Sequence, residues 1–202
     1  MSITEAEPDP CTGADARPLR ADADRNRRAI LAAADRVFAE RGFDVPLAEI
    51  AVEAGVGRAT LYRNFSTRTE LAFALFERNM REFREFAAAL KGDPGDLEAL
   101  VDLKLALYIR NGGLVEAMQH ERRAPDFAQE RAEVARILHD AARPGMAAGL
   151  LRPDLTVESF AILDHALGGV MLCGGTIHDR RTRGAELKRL LFDGLRVREG
   201  GR

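Results

Sequence analysis

Leu47-Ala-Glu-Ile-Ala-Val-Glu-Ala-Gly-Val-Gly-Arg-Ala-Thr-Leu-Tyr-Arg-Asn-Phe65 is the stretch that decides how this 202-residue chain folds. Leu47, Ile50, Ala51 and Ala54 recur at helical spacing and predict the inner face of a short helix over residues 46–54. Pro46 suits its first position, where a missing N–H costs nothing. Gly55 makes a tight turn, Val56 follows as a buried staple, and a second short helix is expected over residues 57–64. Ile50, Ala51, Val56, Leu61 and Phe65 plug a small core. Arg58, Ala59, Tyr62, Arg63 and Asn64 are left on or near the outward side. Two short helices joined by a tight turn, the second with a polar outer face, make a helix-turn-helix.

The outer face carries one sign of charge. Residues 54–69 include three arginines, Arg58, Arg63 and Arg68, and no acid. Arginine grips guanine bidentately or a phosphate electrostatically, asparagine matches adenine, and a small residue such as Ala59 permits close approach near a thymine methyl. The Thr60 and Tyr62 hydroxyls suit phosphates, and Arg68 stands where a following helix would begin, a second attraction for phosphate. A solvated corner of an ordinary helical bundle would also carry surface arginines. The acid-free window and an outward tyrosine favour duplex DNA.

Working outward, residues 1–23 read as a flexible, acidic tail, and a helix is expected from about 24 to Gly42. Ile30, Leu31, Ala34, Val37, Phe38 and Arg41 follow one stripe along it. Thr67 and Glu70 fit a Ser/Thr-x-x-Glu capping box opening a long helix to about residue 90, which Lys91-Gly-Asp-Pro-Gly95 breaks. Further helices are expected over about 96–110, 113–123, 125–148, 156–178 and 182–197, with no strand and no repeat. The predicted class is all-α: a three-helix N-terminal helix-turn-helix unit over 24–70 and a helical bundle over 71–202.

Composition excludes several classes. Hydrophobic residues make up 46% and charged residues 31%, a globular balance, and no apolar run is long enough to span a bilayer. No signal-peptide pattern opens the chain, so the expected compartment is the cytoplasm, away from membranes. Cys11 and Cys173 form no disulfide framework. His120, His139, His165 and His178 show no metal-ligand spacing, so neither metal nor cofactor is expected. A net charge of −2 argues against a general nucleic-acid coat, though not against a locally basic reader. For an enzyme there is no Gly-x-Ser-x-Gly elbow and no phosphate-cradling loop. Asp164-His165, an adjacent acid–base pair, points its two side chains about 100° apart on a helix. A helical adaptor that binds only protein is the other alternative.

Ile50-Ala51, Ala54-Gly55-Val56, Thr60-Leu61-Tyr62, Phe65 and Arg68-x-Glu70-Leu71 together resemble the signature of the tetracycline-repressor (TetR) family, over about residues 25–72. The resemblance implies a transcriptional repressor with three DNA-binding helices and a larger helical region that dimerises and binds a small-molecule effector. It implies a homodimer on a palindromic operator, released by that effector. By position, DNA contacts fall on Gly57, Arg58, Ala59, Tyr62, Arg63, Asn64 and Arg68. Two positions depart from the pattern: Val45-Pro46 stands where threonine is common, and Asn64 where histidine is common.

Beyond residue 77 the reading rests on pattern. Phe160, Leu163, Leu167, Val170 and Met171 share the 156–178 segment with Gly168, Gly169, Gly174 and Gly175, which imply a close partner helix or a local break. Paired with Leu187, Leu190, Leu191 and Leu195, that segment would form a four-helix dimer interface or simply close the monomer's core. Candidate effector-pocket residues are Leu105, Tyr108, Ile109, Met118, Phe127, Ile137, Leu138, Phe160, Leu163 and Leu167, with Asn111, His139, Asp164 or His165 as polar anchors. Each anchor also fits an ordinary surface or capping role. Gly112-Gly113 is the expected hinge.

Overall fold

Eight helices and one isolated antiparallel bridge make up the residues described in the computed structural model, 16–110, 127–171, 173 and 175–197. In chain order the helices are α1 (Ala16–Arg41), α2 (Leu47–Glu53), α3 (Arg58–Asn64), α4 (Arg68–Ala88), α5 (Asp96–Arg110), α6 (Ala128–Ala147), α7 (Val157–Met171) and α8 (Ile177–Leu195). The all-α architecture with an N-terminal helix-turn-helix agrees with the sequence reading. The helix expected over 113–123, with Asn111, Met118 and the Gly112-Gly113 hinge, lies outside the described residues.

Four boundaries depart from expectation. Helix α1 begins at Ala16, inside the stretch read as tail. Its opening Ala16-Arg-Pro-Leu-Arg-Ala run consists, apart from Pro18, of good helix formers, and Pro18 falls in the first turn, where no intrahelical acceptor awaits its missing N–H. Pro46 caps α2 rather than opening it, without a side-chain cap. The segment read as one helix over 156–178 ends at Met171, and α8 starts at Ile177 rather than at 182. Gly175 takes φ +95°. Beyond it Thr176 and Asp179 form a reciprocal capping box, with Asp179 N–H to Thr176 Oγ1 at 3.2 Å and Thr176 N–H to Asp179 Oδ2 at 2.8 Å. The Thr-x-x-Asp signal at 176–179 was present in the sequence and outweighs the apolar continuity across it.

Two hydrophobic clusters divide the chain, and α4 belongs to both. Ile30, Ala34, Phe38, Ile50, Leu61, Phe65, Leu71 and Leu75 fill the first; Met80 and Phe83 of α4 join Leu100, Leu138, Phe160 and Leu167 in the second. Phe76, one turn from each group, packs against both. Helix α1 also rests on α5, so the two clusters share a polar boundary. There Arg78 of α4 pairs with the buried Asp35 of α1, and Arg110 of α5 donates to Glu82 Oε2 at 2.6 Å and Asn79 Oδ1 at 3.2 Å.

The second cluster is closed at its far end by backbone. Arg152 N–H donates to the Leu195 carbonyl at 2.9 Å and Val197 N–H to the Leu150 carbonyl at 3.2 Å, which gives the Leu151–Arg196 bridge. Gly145 of α6 lets the two segments approach closely there. A Cβ built on it would stand 2.9 Å from Leu151 Cδ1 and 3.3 Å from the Pro94 carbonyl oxygen.

Candidate nucleic-acid interface

The turn between α2 and α3 is built by backbone alone. Gly55 adopts φ +66°, a conformation costly for a residue with a Cβ, and its N–H donates to the Val52 carbonyl at 3.1 Å. Val56 N–H reaches the Ala51 carbonyl at 3.0 Å. Gly57 then caps α3 in an extended conformation, with Leu61 N–H on its carbonyl at 3.1 Å. Helix α3 has only seven residues, too short to stand alone in water, so its anchors matter. Leu61 and Phe65 provide them, both essentially inaccessible. Ion pairs Arg36–Glu53 and Arg41–Glu49 tie α2 to α1 on the outside.

With Leu61 and Phe65 inward, Arg58, Ala59, Tyr62 and Arg63 form one exposed face of α3, and Tyr62 keeps 50% of its surface accessible. Gly57 is exposed at its start. Thr60 and Asn64 are half-buried, one turn apart on the flank. Asn64 Nδ2 donates to the Thr60 carbonyl at 2.8 Å and Arg63 Nη2 donates to Thr60 Oγ1 at 3.0 Å. Thr60 thus holds both neighbours in place. Asn64, read from sequence as part of the outer face, is turned back onto its own helix.

Arg68 is engaged as well. It opens α4, where Thr67 Oγ1 accepts the Glu70 N–H at 3.0 Å. Its guanidinium lies 3.3 Å from Asp44 Oδ1, donates to the Asp44 carbonyl at 3.3 Å, and stacks 5.5 Å from the Phe43 ring centroid. Asp44 is fully exposed, so a phosphate can take its place cheaply, surface pairs of this kind being worth about 0–1 kcal/mol. The capping box expected at Thr67 is altered. The Glu70 carboxylate accepts from Ser66 N–H at 2.7 Å and Ser66 Oγ at 2.9 Å, and these bonds lower its pKa below the ordinary glutamate range.

Sequence reasoning missed Arg27. Its guanidinium lies 4.5 Å from the Phe65 ring centroid, beside the C-terminal end of α3. The signal was the basic run Arg25-Asn-Arg-Arg28, of which Arg25, Arg27 and Arg28 are exposed.

The residues proposed from sequence as an effector pocket do not share one surroundings. Leu105 and Ile109 border a cleft between α1, α5 and α8. Tyr108, Phe160, Leu163 and Leu167, with Leu138 and Ile137, pack in or against the second cluster. Phe127 caps α6 with its ring 4.6 Å from that of Phe76, and His139 meets the Phe160 ring edge-on at 5.9 Å. His165 is exposed, its Nδ1 2.7 Å from the Ala161 carbonyl oxygen. Asp164 is buried, and its partner was missed: Lys104 Nζ lies 3.3 Å from Asp164 Oδ1, which also accepts from Tyr108 Oη at 3.0 Å. A lone lysine inside an apolar stripe gives no signal in sequence that an acid on another helix awaits it. Burial and the Asp164 carboxylate push the Tyr108 phenol well above its ordinary pKa.

No group of three His, Cys, Asp or Glu side chains with metal-binding geometry occurs among the described residues, and none of their helices is long and apolar enough to cross a membrane.

Residues 30–75 match the family model for bacterial regulatory proteins of the tetR family. An HTH-type transcriptional regulator of Staphylococcus aureus is 31% identical over 106 residues, 50% of this chain and 57% of the relative's own length. The chain therefore spans little more than half of that relative. Among solved structures, a TetR transcription regulatory protein from Mycobacterium vanbaalenii is 30% identical, with 89% of this chain and 100% of that one covered and a TM-score of 0.63. A gamma-butyrolactone receptor described as ArpA-like is 26% identical, with 87% and 90% covered and a TM-score of 0.54. An exposed, acid-free face on a short helix anchored by Leu61 and Phe65, within residues that match the family model, makes this chain a member of the tetR family of bacterial regulatory proteins, which are DNA-binding transcriptional regulators and not enzymes.

Proposed function

We propose that the protein is a repressor that binds a palindromic operator as a homodimer and is released by a small molecule. The exposed face of α3 supports this most directly: Arg58, Ala59, Tyr62 and Arg63 stand together without an acid and without a structural task that would explain a tyrosine in solvent. In this reading residues 24–70 read DNA and residues 71–202 sense and dimerise. Arg58 and Arg63 enter the major groove, and Ala59 with Gly57 admits the backbone closely. Tyr62, Thr60 and Arg68 serve phosphates, Arg68 by exchanging Asp44 for one. Asn64 acts at the flank through its carbonyl oxygen, its amide hydrogens being partly spent on Thr60.

Dimerisation uses the outer sides of α7 and α8, where Ile162 and Leu190 are 63% and 54% exposed. Two-fold pairing of these helices would set the spacing between the two α3 helices to match operator half-sites. The similarity to a gamma-butyrolactone receptor supports a small-molecule effector in the C-terminal region. Tyr108, Asp164 and Lys104 would orient it, with Phe127, His139, Phe160, Leu163 and Leu167 around it. The effector needs only to prefer a conformer whose α3 helices no longer fit successive grooves.

Duplexes selected from a random pool, followed by gel shift against wild type, Tyr62→Ala and Arg63→Ala, test the reading. A palindromic consensus bound by two chains and weakened in both variants is expected. Failure to enrich any sequence would end it.

A further inference from the structure

Helix α1 begins at Ala16, but from Ala21 onward its first buried side chain is Ile30. Its later turns are held in place. Ala32, Asp35 and Ala39 border the cleft that α1 forms with α5 and α8, and Arg27 stacks 4.5 Å from the Phe65 ring centroid at the end of α3. Followed back towards its start, α1 leaves α5 and α8, reaches the end of α3, and continues beyond it. Residues 16–26 carry it about 16 Å past that contact, at roughly 1.5 Å per residue. The match to the family begins only at Ile30, so this extension lies outside it.

The extension is basic and has no apolar stripe. Residues 16–29 hold Arg17, Arg20, Arg25, Arg27 and Arg28 against Asp22 and Asp24, and Leu19 is their only large aliphatic side chain. Arg25 pairs with Asp22. Arg28 Nε donates to the Asp24 carbonyl at 3.2 Å, and neither Arg27 nor Arg28 pairs with an acid among the described residues. A helix with one leucine offers little to a protein groove or a membrane surface, both of which need an apolar face. Its arginines suit phosphates, and Phe65, where the extension departs, is one turn from the exposed Tyr62 of α3. We propose that the N-terminal extension of α1 is a second, sequence-independent DNA contact, its arginines lying on phosphates that flank the base pairs read by α3. Its length along a duplex covers about five base-pair steps. The proposal rests on α3 binding duplex DNA and carries the contact beyond it.

The test is fluorescence anisotropy of the full chain, across a salt series, on a duplex selected by the wild-type protein. That duplex is made in two lengths, one with about a helical turn of DNA on each side of the consensus and one trimmed flush with it. Arg17→Gln, Arg20→Gln and Arg28→Gln, combined in one variant, keep a good helix former at each place. On the long duplex this variant should bind roughly tenfold more weakly at low salt, with a salt slope lower by about three per bound chain. On the trimmed duplex it should match wild type. Lysine at the same three positions should restore most of the affinity, because a phosphate contact needs charge more than shape. Arg63→Ala should weaken both duplexes. A glutamine variant that equals wild type on the long duplex, a loss of the same size on both lengths, or a loss that lysine does not repair would each overturn the proposal and leave α3 as the reader. A wild-type protein that selects no duplex would overturn the α3 reading and this contact with it.

Discussion

Tyr108 on α5 donates its phenol hydrogen to Asp164 Oδ1 on α7 at 3.0 Å, and the same oxygen lies 3.3 Å from the Lys104 ammonium. One carboxylate thus satisfies two buried groups from successive turns of α5. The ammonium also lies 5.1 Å from the Phe83 ring centroid and 4.9 Å from that of Tyr108. Asp164→Ala strands Lys104 in the core and should cost about 3–5 kcal/mol. Tyr108→Phe removes one hydrogen bond and should cost about 1 kcal/mol. Urea unfolding measures both, and equal effects would mean that Lys104 finds another partner.

On α3 the prediction separates binding from folding. Arg58→Ala and Arg63→Ala change exposed side chains and should leave the melting temperature within a degree or two. Each should weaken operator binding by about 1–3 kcal/mol and relax the preferred sequence if it reads a base. Arg68→Ala should instead weaken all duplexes alike and lower the salt slope by about one. Asp44→Asn frees Arg68 and should tighten binding. A weaker complex from Asp44→Asn would count against exchange at Arg68.

Two acids predict opposite pH behaviour. Burial of Asp35 outweighs its pairing with Arg78 and holds its pKa above the ordinary aspartate range. The folded state is then the better proton binder, so this residue favours folding at pH below that range and loses the contribution as pH rises through the raised value. The stability of wild type relative to Asp35→Asn should fall as pH is raised. Glu133, held by Arg84 Nε at 2.7 Å and Nη2 at 2.6 Å, has its pKa lowered by those bonds. Its contribution is present above the ordinary glutamate range and vanishes as pH falls through the lowered value. Glu133→Gln should therefore cost stability at neutral pH and nothing in strong acid. Parallel pH profiles for the two variants would contradict both assignments.

Gly145→Ala brings a methyl to 2.9 Å from Leu151 Cδ1, with the Pro94 carbonyl oxygen at 3.3 Å behind it. Overpacking of this kind costs about 1–3 kcal/mol. Thermal denaturation should show the loss, although alanine is the better helix former. A gain would mean that the turn after α6 yields more easily than its backbone contacts imply.

Charge introduced on the outer sides of α7 and α8 tests assembly. Ile162→Glu and Leu190→Glu alter side chains that are 63% and 54% exposed, so each monomer should fold normally. Light scattering should report a monomer, and operator binding should fall with the loss of the second α3. A dimer that survives both charges would place the interface elsewhere.

Much of the first cluster was legible because its signals are local. Gly42, Gly55 and Gly92 all take positive φ, as their places at chain breaks implied, and Thr67 caps α4. The misplaced starts of α1 and α8 have different causes. For α1, composition was read as a tail although its residues favour helix. For α8, an apolar run across 166–176 hid the Thr176–Asp179 box. The glycines of 168–175 imply a close partner helix or a local break, and both occur: a Cβ on Gly168 would stand 3.5 Å from the Tyr108 ring of α5, and Gly175 makes a break.

The sequence alone determined the helix-turn-helix and its outward face, because a turn glycine, two inward hydrophobes and an acid-free window all lie within twenty or so residues of one another. Only the tertiary structure decided which of those side chains are free. Asn64 is spent on Thr60, Arg68 on Asp44, and Arg27 arrives over Phe65 from another helix. It also decided that Lys104 meets Asp164, and that Asp35 and Arg110 meet across α1 and α5 with one buried atom each left over. Helical periodicity specifies which face of a helix is buried. It does not specify which residue of a distant helix will stand opposite, and desolvated charges depend on that pairing.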